Sequence, residues 1–115
     1  MKHQDLLVYL SGPITATDGR TVEGNVASAL RVYLACTARG IPAICPQLSA
    51  AFPSAWQIPY ETWMAVDLAL VSRCTHLLLL PGWETSAGAV REKAHAERQG
   101  VIVVTSLEQV TAVAA

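Results

Sequence analysis

Charge is scarce in this chain: Asp, Glu, Lys and Arg make up 15% of its 115 residues, against about 25% in an average soluble domain. The formal net charge is -1, so there is no basic patch or stripe of the kind that grips phosphate backbones. A nucleic-acid polymer is therefore not expected as a partner. Long apolar runs are missing too, none approaching the ~20 residues of a membrane-spanning helix. A signal-peptide pattern is lacking, since the apolar stretch Leu6 to Leu10 is short and runs straight into Ser11-Gly12-Pro13. The expected setting is cytoplasmic, with no membrane partner. The three cysteines, Cys36, Cys45 and Cys74, are odd in number, far apart and set among apolar residues. That pattern fits buried free thiols in a reducing compartment better than metal or redox chemistry. No metal and no cofactor are expected.

What is abundant is hydrophobic: 52% of the chain. So much apolar side chain with so little charge implies that part of the surface is covered by other subunits, and a homo-oligomer, dimer or higher, is expected. The length fits a single domain over residues 1–115 that buries roughly two-thirds of its unfolded surface.

Leu6 to Leu10 is a short, nearly all-apolar run stopped by Gly12-Pro13, as in a strand buried on both faces. Ile14 to Gly24, with its threonines, Asp18, Gly19 and Arg20, lacks periodicity and reads as a loop. Asn25 is expected to cap a helix with Val26, Ala29, Leu30, Tyr33 and Leu34 on its apolar face, ended by Gly40. Ile41 to Cys45 forms a second strand. Between Pro46 and Tyr60, three prolines with Phe52 and Trp56 mark a long irregular stretch, either a functional loop or lid or an oligomer contact. A helix from about Tyr60 to Arg73 follows. Then come a strand near Leu77 to Leu80, a helix to about Gln99 stopped by Gly100, and a strand from Val101 to Val104. A last helix capped by Ser106 runs through Val110, with a frayed tail of alanines.

Strands alternating with helices imply parallel pairing through right-handed crossovers. The expected fold is an α/β three-layer sandwich with a small parallel sheet in the order 2-1-3-4, flavodoxin- or Rossmann-like. Ligands in such sheets lie beyond the carboxyl ends of the strands where the winding reverses, here between the first and third. Those ends carry Ser11-Gly12-Pro13-Ile14-Thr15 and the segment Gly82 to Gly88.

The second segment opens a helix at Ser86-Ala87-Gly88-Ala89-Val90-Arg91-Glu92. A helix N-terminus offers backbone N–H groups and a positive dipole end, and Gly88 and Glu92 share one helical face. An anion could bind there beside a carboxylate, with Gly88 leaving room for it. A sugar phosphate whose reacting carbon lies against Glu92 would suit this arrangement. The competing reading of Glu92 is a solvated charge, since Arg91, Lys93, His95, Glu97 and Arg98 share its helix. Asp67 falls within the apolar stripe Trp63, Val66, Leu70 and Val71, where a carboxylate must find partners or have a raised pKa; capping a neighbouring loop is the alternative. Trp83 could stack on a base or act as a packing plug, and His95 reads as a surface or helix-end histidine. Tyr9 could present its hydroxyl to the crevice or simply pack.

The set Tyr9-Leu10-Ser11-Gly12-Pro13, Asp67 and Ser86-x-Gly88-x-x-x-Glu92, in this order, resembles the nucleoside 2-deoxyribosyltransferase-like superfamily, including its 2′-deoxynucleoside 5′-phosphate N-hydrolases. The likeness runs from Leu7 to Val104. It implies that Glu92 attacks C1′ of a (2′-deoxy)nucleoside or its 5′-monophosphate and displaces the base through an oxocarbenium-like transition state. By the same resemblance Asp67 assists proton transfer to the leaving nitrogen and Tyr9 positions Glu92. Water as acceptor makes a hydrolase, and a second base makes a transferase. Ser86, where the nucleoside transferases tend to have Asp, favours a 5′-monophosphate, because a hydroxyl and helix N–H groups welcome a phosphate that an Asp would repel. Thr15 and Arg20 are expected by position as further phosphate donors, and Gln47 is expected as a base contact. Two positions depart from the pattern: Lys93-Ala94 follows the glutamate where Leu-Gly is common, and Thr75-His76 stands where many relatives carry an Asp. The expected function is N-glycosidic bond cleavage or transfer on a small-molecule nucleotide or nucleoside. The alternative is an inactive nucleotide-binding or sensing module of the same fold.

Overall fold

A computed structural model describes residues 5–17 and 19–111. Asp18, expected within the first loop, and the alanine tail at 112–115 lie outside the described residues. Among the described residues four strands, β1 (Val8–Ser11), β2 (Ala43–Ile44), β3 (His76–Leu79) and β4 (Ile102–Val104), alternate with four helices. The helices are α1 (Val22–Ala38), α2 (Tyr60–Val71), α3 (Ala87–Gln99) and α4 (Leu107–Thr111). All strand pairs are parallel and the order is β2-β1-β3-β4, the order expected. No helix among the described residues is long and apolar enough to cross a membrane.

The sheet separates two apolar layers, and strand alternation assigns each residue to its layer. Val8, Leu10, Leu78 and Leu80 pack with Ala29, Cys36 and Val110 on the α1 and α4 side. Tyr9, Leu77 and Leu79 pack with Val71, Ala96 and Val101 on the α2 and α3 side. Ser11, two residues beyond Tyr9, shares its face. In register, Tyr9 pairs with Leu77 and Ser11 with Leu79. β1 and β3 leave the sheet side by side, so close that a Cβ on Gly12 would stand 2.8 Å from Leu80 Cβ. Only glycine fits there.

Three local expectations are corrected. Thr21, not Asn25, caps α1, its hydroxyl accepting from Gly24 N at 3.0 Å. Asn25 is buried inside the first turn, and its side-chain amide donates to the carbonyls of Ile14 and Thr15, 3.2 Å each. It pins the loop after β1 instead of starting the helix. Leu34 is 56% exposed and Val66 49%. The buried stripe of α1 runs through Asn25, Ala29 and Cys36, and that of α2 through Met64, Asp67 and Val71. Both helices are turned by about one residue from the faces their largest aliphatic side chains suggested. The irregular stretch after β2 forms two short 3-10 segments, Pro46–Ala51 and Pro53–Gln57.

Candidate active site

Period-two alternation sends Tyr9 and Ser11 from β1 toward the underside of α3, and there they meet Glu92. The Tyr9 hydroxyl donates to Glu92 Oε2 at 2.8 Å, and the Ser11 hydroxyl donates to Oε1 at 2.7 Å. Glu92 is only 6% exposed, so it is no solvated charge. Each carboxylate oxygen holds one hydroxyl, which fixes the group's orientation. Burial pushes the Glu92 carboxyl up to about 7; the bonds from Ser11 and Tyr9 pull against that rise, and nearby Asp67 adds to it.

Asp67 reaches the same place from α2 at 8% exposure, and burial pushes it up to about 6, against the pull of the Tyr9 hydroxyl. Burial first, then both carboxylates, hold that hydroxyl far above its ordinary pKa. Tyr9 thus stays protonated, and its hydroxyl neighbours both carboxylates while donating to Glu92. Arg91 and Lys93, the sequence neighbours of Glu92, are turned away: Arg91 pairs with Glu61 at 2.9 Å and Lys93 with Glu97 at 3.0 Å. No cation neutralises the two buried carboxylates by direct pairing among the described residues.

Glu92 and Asp67 open onto a cavity of about 440 Å3, within the roughly 300–1,000 Å3 of small-molecule sites. One end is the start of α3. Ser86 caps the helix, its Oγ accepting from Ala89 N at 3.2 Å, and this leaves the hydroxyl proton free to donate. Ala87 and Gly88 line the same end, where the first helical N–H groups lack intrahelical partners. A Cβ on Gly88 would approach Met64 Cε to 3.3 Å and the Tyr60 hydroxyl to 3.5 Å, so the glycine lets α3 start close to α2.

The wall that meets this helix start at Tyr60 and Met64 is apolar and aromatic. Pro46, Ala50, Trp56, Ile58, Tyr60, Trp63 and Met64 form it, supplied by the two 3-10 segments and the start of α2. The two indole N–H groups are turned inward to the chain. Trp56 Nε1 donates to Ala50 O at 3.1 Å and Trp63 Nε1 to Ala55 O at 2.9 Å. Ser49 Oγ donates to Pro46 O at 2.7 Å. Gln47 is buried; its Nε2 donates to Leu10 O at 3.1 Å, and its Oε1 accepts from Cys45 Sγ at 3.5 Å. Gln47 therefore completes the edge of β1 where β2 has ended, while one flank lines the cavity.

A family model described as a domain of unknown function, DUF4406, matches residues 6–105, nearly the whole chain. The chain belongs to the DUF4406 family. No curated protein matches it closely enough to count as a relative.

Of the residues singled out in this DUF4406 chain, Gly12, Thr15, Gln47, Asp67, Ser86, Gly88 and Glu92 line one cavity. Tyr9 and Ser11 stand directly behind Glu92, fully buried. Pro13, Arg20 and Trp83 are not among the lining residues. The Arg20 guanidinium lies over Gly82, where a Cβ would come within 2.5 Å of its Cζ, and Nη1 reaches Asn25 Oδ1 at 3.5 Å. Trp83 packs against the core layer around Tyr9, with Lys93 Nζ 5.8 Å from its ring centroid; it is the packing plug. His95 contacts Ser72 at the surface, 2.6 Å from its hydroxyl. Among the described residues no group of three or more His, Cys, Asp or Glu is placed to hold a metal. Sequence reasoning missed Tyr60, Trp63 and Met64 as cavity residues. The available signal was three aromatics, Trp56, Tyr60 and Trp63, crowded within two turns ahead of the Asp67 helix face.

Proposed function

We propose that this DUF4406 domain breaks, or transfers, the N-glycosidic bond of a (2′-deoxy)nucleoside 5′-monophosphate, with Glu92 as nucleophile. The observation that carries this reading is the buried Glu92 carboxylate, aimed by Tyr9 and Ser11 into a cavity whose other features are an anion-ready helix start and an aromatic wall. The resemblance to nucleoside 2-deoxyribosyltransferase-like proteins supports it from the sequence side.

The 5′-phosphate binds at Ser86, Ala87 and Gly88, where hydroxyl and helix N–H groups donate to it. The base lies along Trp56, Tyr60 and Trp63. A Glu92 oxygen attacks C1′, and the C1′–N bond breaks with its electron pair passing to the base. Asp67, facing the cavity from α2, gives the leaving nitrogen its proton and afterwards takes one from the incoming water or acceptor base. Tyr9 and Ser11 hold Glu92 in line before attack and stabilise the carboxylate when the glycosyl bond is broken.

A binding or sensing role without turnover is the second reading, favoured by the same burial, which keeps much of Glu92 protonated near neutrality. A cytoplasmic setting suits a phosphorylated small substrate. Apolar residues left at the surface, among them Phe52 at 66% exposure, suit a homo-oligomer. Incubation with a panel of nucleosides and 5′-monophosphates separates the two functional readings: free base appears by chromatography if the domain is an enzyme. A nucleotide-dependent rise in melting temperature with no base released leaves only the binding role.

A further inference from the structure

The lining of the cavity is electrostatically one-sided. Two buried carboxylates, Asp67 and Glu92, and three aromatic residues, Trp56, Tyr60 and Trp63, share it, and no Lys or Arg is among the lining residues. Arg91 stands 5.8 Å from the Tyr60 ring centroid but is ion-paired with Glu61. Both indole N–H groups of the aromatic wall are committed to the chain's own carbonyls, and the Tyr60 hydroxyl lies toward Gly88 at the helix start, so the wall has little with which to read the edge of a neutral base. Aromatic faces beside unneutralised carboxylates favour a cation that is itself a flat ring. The start of α3, which Tyr60 and Met64 approach at Gly88, favours an anion.

We infer that the preferred leaving group is an aromatic cation: the ligand is a nucleoside 5′-monophosphate whose base is a pyridinium or an N-alkylated purinium. This rests on the proposed glycosidic function and narrows its substrate class. The chemistry is simpler than with a neutral base. Glu92 oxygen bonds to C1′, and the C1′–N bond breaks with both electrons going to the ring nitrogen. That discharges the ring's positive charge, so the base departs neutral and requires no proton. Water then attacks C1′, yields a proton to Asp67 or solvent, and releases Glu92 as carboxylate.

Binding is measured by calorimetry on the full chain carrying Glu92→Gln at pH 8, with nicotinamide mononucleotide in its oxidised, cationic form and in its reduced, neutral form. The two are nearly equal in shape. The oxidised form is expected to bind at least tenfold more tightly, whereas equal or tighter binding of the reduced form overturns the inference. Adding Asp67→Asn to Glu92→Gln removes the remaining carboxylate, and the preference for the oxidised form is expected to fall to threefold or less; an undiminished preference contradicts the inference. With the unmodified protein, single-turnover release above the spontaneous rate is expected to be at least tenfold faster from nicotinamide mononucleotide and 7-methyl-2′-deoxyguanosine 5′-monophosphate than from 2′-deoxyguanosine 5′-monophosphate, and equal or slower release contradicts it. Turnover of neutral nucleotides alone refutes the cationic preference and leaves the glycosidic function standing; no binding or turnover of any nucleotide removes both.

Discussion

The hydroxyl of Tyr9 lies 2.8 Å from Glu92 Oε2, although 83 positions separate the two residues in the chain. A central strand supplies the donor and a helix on one face supplies the acceptor, so the bond exists only when the parallel sheet and its α2 and α3 layer are assembled. It joins fold and proposed chemistry in one contact.

Replacing Tyr9 with Phe removes one of two donors that favour the ionised carboxylate. The Glu92 pKa is expected to rise further. Turnover near pH 7 should fall by roughly tenfold or more, the scale of losing a hydrogen bond to a charged group, with partial recovery at higher pH. A pH–rate profile of Tyr9→Phe beside the unmodified protein checks this, and an unshifted acidic limb contradicts it.

Glu92 also makes stability depend on pH. Its folded pKa, about 7, stands above the ordinary 4.5, so the folded state holds the proton more tightly than the unfolded chain. The cost of burying the ionised form is absent below about pH 4.5, grows as pH rises toward 7, and is constant above that. Glu92→Gln should therefore stabilise the protein at pH 8 by roughly 1–3 kcal/mol and much less at pH 4.5. Urea unfolding at the two pH values measures the difference. An identical effect at both would show that burial does not govern this carboxylate.

Ser86 has two duties that substitution can separate. Ser86→Ala loses the helix cap, at about 1 kcal/mol of stability, and should weaken 5′-monophosphate binding while sparing nucleosides. Ser86→Asp keeps a capping oxygen yet sets a negative charge against the phosphate, and should turn preference toward ligands with a free 5′-hydroxyl. Relative affinities for a nucleoside and its 5′-monophosphate decide the matter; an unchanged ratio in both variants means the phosphate sits elsewhere.

The two close-approach glycines should respond differently to alanine. Gly12→Ala sets a Cβ 2.8 Å from Leu80 Cβ at the joint exit of two central strands, where neither strand can yield, and roughly 1–3 kcal/mol of destabilisation is expected. Gly88→Ala meets Met64 Cε at 3.3 Å, the flexible end of a methionine, so the fold should survive while ligand affinity drops. Thermal unfolding with and without nucleotide distinguishes them.

How much of this was legible beforehand follows from where periodicity exists. Leu6 to Leu10, stopped by Gly12, announced a central strand, and the alternation of strands and helices yielded the observed order. Asp67 was recognisable as a carboxylate on an apolar helix face, and Ser86 to Glu92 as a helix start with a carboxylate on the Gly88 face. Helix rotation was less legible. Val66 and Leu34 are large and aliphatic, yet Met64 and Ala29 are the residues buried, because fit against a tight sheet decides the face more than size does. The aromatic wall could not be placed from sequence at all. It is built on two 3-10 segments that open at Pro46 and Pro53 and on the start of α2 after Pro59, a stretch with no repeating pattern, and its geometry depends on indole bonds to Ala50 and Ala55 that no local signal announces. Ser11 was expected at the crevice; that it would grip Glu92 from behind required the register of β1 against β3.

The most direct test is covalent capture. A 2′-deoxy-2′-fluoro nucleoside 5′-monophosphate, whose fluorine slows breakdown of the glycosyl-enzyme, is incubated with the protein and the digest is read by mass spectrometry. A fluorosugar phosphate adduct on the peptide bearing Glu92, absent from Glu92→Gln, is the predicted result. Base release that persists in Glu92→Gln, or an adduct on any other residue, would contradict the assignment.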